Sequence, residues 1–185
     1  MNNIFIIHGA YGNPTENWFP WLKIELEKLN CRVFVPRFPT PDNQNLDSWQ
    51  NVFKEYKQYI NKDTIFVGHS IGPAFLLNIL ESRDEPIKAC FFVAGFISMF
   101  NNPDFDNINK TFIDTNFDWH RIKQNCGKFF ILHSDNDPYV PLAKAKELGK
   151  QLDTDVEIIK NAGHFNEKAG YDRFDLLLEK IKQEL

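Results

Sequence analysis

The chain has 185 residues, 43% of them hydrophobic and 25% charged, with a formal net charge of -4. Those proportions exclude a disordered or fibrous chain and point to one folded domain. The weak acidic balance and scattered lysines and arginines leave no basic field for nucleic acid or a membrane surface, so neither is expected as a partner.

The first apolar run, Ile4–His8, reads as a strand and leads into His8-Gly9-Ala10-Tyr11-Gly12. Trp18, Trp21, Leu22, Leu26 and Leu29 then repeat at helical spacing. A second strand, Arg32–Val35, gives way to a turn in which Pro36, Pro39 and Pro41 forbid a regular helix or central strand. Trp49, Phe53, Tyr56 and Ile60 predict another helix before the third strand, Thr64–Gly68. Gly68-His69-Ser70-Ile71-Gly72 follows at once and opens the helical run Ala74–Glu81. The fourth strand, Ala89–Ala94, precedes a Phe-, Asn- and Asp-rich segment, residues 95–127, expected as short helices and loops overhanging a site. The fifth and sixth strands, Phe129–His133 and Val156–Lys160, lead into Ser134–Pro141 and Asn161–Phe165, and Leu176, Leu177, Ile181 and Leu185 predict a last helix. Several strands are apolar on both faces, as parallel strands covered on each side must be. Strands alternating with amphipathic helices predict an α/β three-layer sandwich with a mainly parallel sheet.

The three cysteines, Cys31, Cys90 and Cys126, form no CxxC pair and suit a reducing compartment as small buried thiols. No basic n-region precedes Ile4–Ile7, and the longest apolar stretch, about residues 89–97, falls well short of the ~20 residues of a membrane span. A cytoplasmic location is expected.

The chemistry sits in Gly68-His69-Ser70-Ile71-Gly72, a G-x-S-x-G nucleophile elbow in its strand–turn–helix context. The sharp turn projects Ser70 Oγ from the carboxyl edge of the sheet, over a helix N-terminus that favours developing negative charge. A serine hydroxyl needs a base, and the base an orienting acid. Asp137 and Asp135 compete for the acid; Asp137 is preferred because Asp-x-x-Val-Pro resembles the acid turn of many α/β-hydrolases, and Asp135 reads as a residue bonding local backbone N–H groups. His164 is the base candidate, His69 a structural neighbour of the nucleophile, and His133 a satisfied core or edge histidine. The oxyanion donors are expected to be the N–H groups of Ile71 and of Ala10, with Tyr11 the alternative to Ala10. Strand order 2-1-3-4-5-6 would set that loop across a topological switch point from Ser70. Tyr11, Trp18, Phe96, Phe100, Tyr139 and Phe165 flank the site in sequence and are pocket candidates, although each competes with a core role. Metal-binding H-E-x-x-H, paired Cys/His spacings, the P-loop and G-x-G-x-x-G are all absent, so neither a metal nor an organic cofactor is expected.

Together with Trp18-Phe19-Pro20-Trp21-Leu22, Trp49, Asp137-Pro138-Tyr139-Val140-Pro141 and Gly163-His164-Phe165, these motifs span nearly the whole chain. The sequence resembles the small serine hydrolases related to retinoblastoma-binding protein 9 and the bacterial YdeN-like proteins, within the α/β-hydrolase superfamily. The resemblance implies a single-domain (1–185) minimal α/β-hydrolase without the superfamily's first two strands or a large lid, and a triad of Ser70, Asp137 and His164. It does not bring a retinoblastoma partner, because Leu29-Asn30-Cys31-Arg32-Val33 ends in valine where the Leu-x-Cys-x-Glu pattern needs glutamate. The expected activity is cofactor-free hydrolysis of a small carboxylic ester. An amidase, peptidase or thioesterase would use the same groups, and a binding protein on this scaffold is the non-catalytic rival.

Overall fold

The computed structural model describes residues 1–185. Its strands are β1 (Asn3–Ile7), β2 (Arg32–Phe34), β3 (Ile65–His69), β4 (Ile87–Val93), β5 (Cys126–Ser134) and β6 (Val156–Ile159). Its helices are α1 (Phe19–Glu27), α2 (Leu46–Phe53), α3 (Gly72–Glu81), α4 (Pro103–Ile113), α5 (Trp119–Gln124), α6 (Leu142–Leu152) and α7 (Asp175–Lys182). The strands form one sheet in the order β2-β1-β3-β4-β5-β6. Every neighbouring pair is parallel. The departures to opposite sides of β1 create the switch point, between β1 and β3.

Side chains alternate across each strand, so one strand feeds two cores. Phe5 and Ile7 of β1 enter the larger cluster with residues of α2 to α6, whereas Ile4 and Ile6 enter the other with α1 and α7. The result is three layers, the α/β-hydrolase arrangement. Helix α3 lies in the middle of the larger cluster, and every residue from Gly72 to Leu80 is buried. A helix apolar all round belongs inside a protein. Phe75 on α3 meets the rings of Phe38, Trp49, Phe53 and Phe112, which locks α2, α4 and the Pro-rich turn onto it.

Two expectations need correcting. The helix predicted to reach Ile60 is α-helical only to Phe53 and continues as a 3-10 helix over Lys54–Tyr59. Residues i and i+3 eclipse in that tighter winding, which brings Tyr56 and Tyr59 together over Phe34. Residues 95–127 mostly cover α3 through α4 and α5, and only Phe105 of this segment borders the cavity described below. No helix is long and apolar enough to cross a membrane.

Candidate active site

Ser70 sits where β3 turns into α3, with φ at +60°. That left-handed conformation is costly for a residue with a Cβ and persists only where its surroundings impose it. Here the Ser70 N–H is tied to the Val93 carbonyl of the neighbouring strand at 3.0 Å. The turn also demands glycine at position 68, because a Cβ there would stand 2.7 Å from Pro73 N. Strand and helix can therefore meet closely enough to present the serine.

The loops after β5 and β6, which carry Asp137 and His164, are joined residue by residue. Asp135 Oδ1 accepts from the Asn161 N–H (2.8 Å), Ser134 Oγ from Ala162 (3.0 Å) and Asn136 Oδ1 from Gly163 (2.9 Å). His164 then donates from Nδ1 to Asp137 Oδ2 at 2.7 Å. The other carboxylate oxygen of Asp137 accepts from the N–H groups of Tyr139 (2.9 Å) and Val140 (3.0 Å). Burial alone would raise the Asp137 carboxyl, but the His164 bond and charge and the two backbone donors outweigh it and hold it below the usual range. An ionised carboxylate only accepts, so Nδ1 of His164 carries the hydrogen of this bond. Asp135 does bond backbone, but that of the His164 loop 26 residues away rather than its own turn.

On the opposite side, the loop after β1 closes on the serine. A Cβ on Gly9 would lie 2.7 Å from Ser70 Cβ, so only glycine lets the loop come this near. The His8 ring donates from Nδ1 to the Gly9 carbonyl (2.8 Å) and accepts at Nε2 from the Phe38 N–H (3.0 Å). Both bonds need neutral imidazole, and burial, its largest cause, lowers its pKa to about 4. The two candidate oxyanion donors now separate. The Tyr11 N–H is taken by Thr40 Oγ1 at 2.6 Å, whereas the Ala10 and Ile71 N–H groups have no protein acceptor.

These elements enclose a cavity of about 490 Å³ bordered by Gly9, Ala10, Ser70, His164 and His69, with Tyr11, Tyr139 and Phe105 at its apolar side. Ser70 and His164 border the same space, and no hydrogen bond joins their side chains. Catalytic bonds often tighten only when substrate binds. The other wall, made by Glu16, Asn17, Asn166, Glu167 and Lys168, is polar. Asn17 and Glu167 exchange bonds between the loop before α1 and the turn after His164: Asn17 N–H to Glu167 Oε1 (2.8 Å) and Glu167 N–H to Asn17 Oδ1 (3.0 Å). Burial, helped by the Glu167 charge, raises the Glu16 carboxyl above its ordinary value.

Of the six pocket candidates, Tyr11 and Tyr139 line the cavity, but Trp18, Phe96, Phe100 and Phe165 do not. Trp18, Phe96 and Phe165 are wholly buried, and Trp18 Nε1 donates to the Phe165 carbonyl at 3.0 Å. Phe100 packs on Phe96 and Phe105. Large rings gain more from full burial than from a wet rim. Phe105 and the polar wall were not anticipated; the only clue to Asn166, Glu167 and Lys168 was their place directly after His164-Phe165.

His69 is structural in its contacts. It lies between Trp18, Phe19 and the His164 ring, and its Nε2–H donates to the His164 carbonyl at 2.8 Å. Burial, foremost, and the neighbouring His164 lower its pKa to about 3. His133 is only half satisfied: Nε2 bonds the Val140 carbonyl (3.0 Å), but buried Nδ1 has no partner. No group of three or more His, Cys, Asp or Glu side chains could hold a metal ion.

The chain is similar to known proteins over most of its length. YdeN of Bacillus subtilis (strain 168) is 26% identical over 178 residues, which cover 95% of this chain and 92% of YdeN. The serine hydrolase RBBP9 of Rattus norvegicus is 24% identical over 152 residues, 82% of this chain and 79% of RBBP9. The crystal structure of the B. subtilis ydeN gene product superposes with a TM-score of 0.92 at 25% identity, over 100% of this chain and 98% of that one. Est1E from Butyrivibrio proteoclasticus, at 17% identity and a TM-score of 0.72 over 98% and 86% of the two chains, shares the fold. A serine hydrolase family profile matches residues 4–183, and with the elbow, the six parallel strands and these relatives in agreement, the chain belongs to the serine hydrolase family.

Proposed function

We propose that the chain is a carboxylesterase-like hydrolase that cleaves small esters through an acyl-enzyme on Ser70, with Asp137 and His164 completing a triad. The observation that carries this reading is the 2.7 Å bond between His164 Nδ1 and Asp137 Oδ2, which leaves Nε2 as a base on the cavity that Ser70 borders. His164 Nε2 takes the Ser70 Oγ proton as Oγ bonds to the ester carbonyl carbon. The carbonyl π electrons move to oxygen, and the N–H groups of Ile71 and Ala10 hold the resulting oxyanion. As the oxyanion collapses, the carbon–oxygen bond to the alcohol breaks and His164 gives its proton to the leaving oxygen. Water, deprotonated by His164, then attacks the acyl carbon; the acid leaves and Ser70 regains its proton.

The cavity falls within the size range of small-molecule sites, and its apolar side is limited to Ala10, Tyr11, Phe105 and Tyr139. That supports short or medium acyl chains and a polar alcohol or acyl substituent. The test is a panel of p-nitrophenyl esters from acetate to palmitate, run with wild type and Ser70→Ala. Turnover should peak at short chains and vanish in the variant. A peak at palmitate would overturn the substrate class, and undiminished activity in Ser70→Ala the mechanism.

A further inference from the structure

The Pro-rich turn before α2 touches the oxyanion loop twice, and one contact reaches beyond that loop. Thr40 Oγ1 accepts from the Tyr11 N–H and donates to Gln44 Oε1. Gln44 Nε2 donates to Asn109 Oδ1 at 2.8 Å and to the Ile108 carbonyl at 3.2 Å, and Asn109 Nδ2 donates to the Phe105 carbonyl at 2.9 Å. The chain of bonds runs in one direction, from the loop beside Ser70 to the residue of α4 that borders the cavity. Each member is both donor and acceptor, which strengthens its neighbours.

We propose that Thr40 is a positioning residue for the oxyanion hole, and that the Thr40–Gln44–Asn109 chain fixes the oxyanion loop relative to Phe105. This inference rests on the ester-hydrolase reading above. Tyr11 has φ at +58°, a conformation that needs an external hold. Thr40 supplies the hold by occupying the Tyr11 N–H, which turns that group away from the role of oxyanion donor. On the other side of the same loop, His8 Nδ1 and the Gly12 N–H (3.2 Å) both bond the Gly9 carbonyl. The Ala10 N–H belongs to the same planar trans peptide and points opposite to that carbonyl. Holding the loop at both ends leaves Ala10 N–H free. Burial alone gives no reason for amides here: Gln44 is 7% exposed and Asn109 wholly buried. Apolar side chains of similar volume would pack there without the cost of burying amides.

The test measures kcat, KM, melting temperature and the affinity of a trifluoromethyl ketone, whose hemiketal oxygen needs the same donors. Wild-type protein, Thr40→Val and Thr40→Ser are compared on a short p-nitrophenyl ester. Thr40→Val should lose about ten- to a hundred-fold in kcat, the scale of a small misplacement of catalytic groups. Its KM should stay within about two-fold, the mark of an interaction made only in the transition state. Inhibitor affinity should weaken by the same factor as kcat/KM, and Thr40→Ser, which restores the hydroxyl, should recover most of both. If Thr40→Val does not melt cooperatively, Gln44→Met interrupts the chain one link further on and should lower kcat and inhibitor affinity in parallel by a smaller factor. Wild-type turnover with kcat and inhibitor affinity unmoved in the cooperatively folded variant would overturn this inference alone. A wild-type protein that neither turns over esters nor reacts with a fluorophosphonate at Ser70 would overturn both readings.

Discussion

Asp137 does two jobs with two oxygens: one is held by the Tyr139 and Val140 N–H groups, and the other holds His164. An asparagine would keep its carbonyl oxygen on the backbone donors and turn its NH2 toward His164 Nδ1, which would then have to accept. The ring hydrogen would move to Nε2, where it blocks removal of the Ser70 proton. Asp137→Asn should therefore lose on the order of 10³–10⁴-fold in kcat while remaining folded, as measured by ester turnover and circular dichroism. More than a tenth of wild-type activity would contradict that role. Ser70, Asp137 and His164 could be singled out as candidates in the sequence because each stands just past a recognisable strand. Thr40 and Asn136 could not, because the bond that ties each to a loop of the site reaches 27 or more positions along the chain. Trp18, Phe96 and Phe165 look like pocket residues in sequence because proximity to a motif does not reveal which side of the backbone a ring takes.

Helix α3 holds the elbow in place, and its own hold is aromatic packing on all sides. Truncating Phe75 to alanine would empty the space between Phe38, Trp49, Phe53 and Phe112. We expect a loss of about 3–5 kcal/mol in urea unfolding, a large share of the ~5–15 kcal/mol of a typical domain. A loss below about 1 kcal/mol would mean that the helix does not depend on this packing. The strands and α3 were legible because their residues are apolar on every face that meets a neighbour. Helix α4 was legible only as one of the short helices expected within residues 95–127; its bounds were hidden, because it buries Asn109 where a periodic reading looks for an apolar residue. The 3-10 winding of Lys54–Tyr59 was equally hidden, since Tyr56 and Tyr59 fit the α-helical and 3-10 spacings alike.

Across the whole molecule, three histidines are buried with lowered pKa values: His8 to about 4, His69 to about 3, and His133 also downward, in each case chiefly through burial. The folded state resists their protonation, whereas the unfolded chain takes up protons near the ordinary value of 6.5. Between those limits the unfolded state binds more protons, so stability is full above about pH 6.5 and falls as the pH drops toward 4. Asp137, whose pKa is lowered from 3.8, adds a separate loss below that value, as its carboxylate is protonated. Thermal melts from pH 7.5 to 4 should show the melting temperature declining from about pH 6.5, and a flat profile over that range would contradict neutral burial of these rings.

Covalent capture of the nucleophile bears most directly on the proposed chemistry. The protein is treated with a fluorophosphonate and its peptides mapped by mass spectrometry, alongside Ser70→Ala and His164→Ala. The proposal predicts one adduct, on the peptide containing Ser70, absent from Ser70→Ala and formed far more slowly in His164→Ala. A folded wild-type protein that stays unlabelled, or carries the label on another residue, would contradict it.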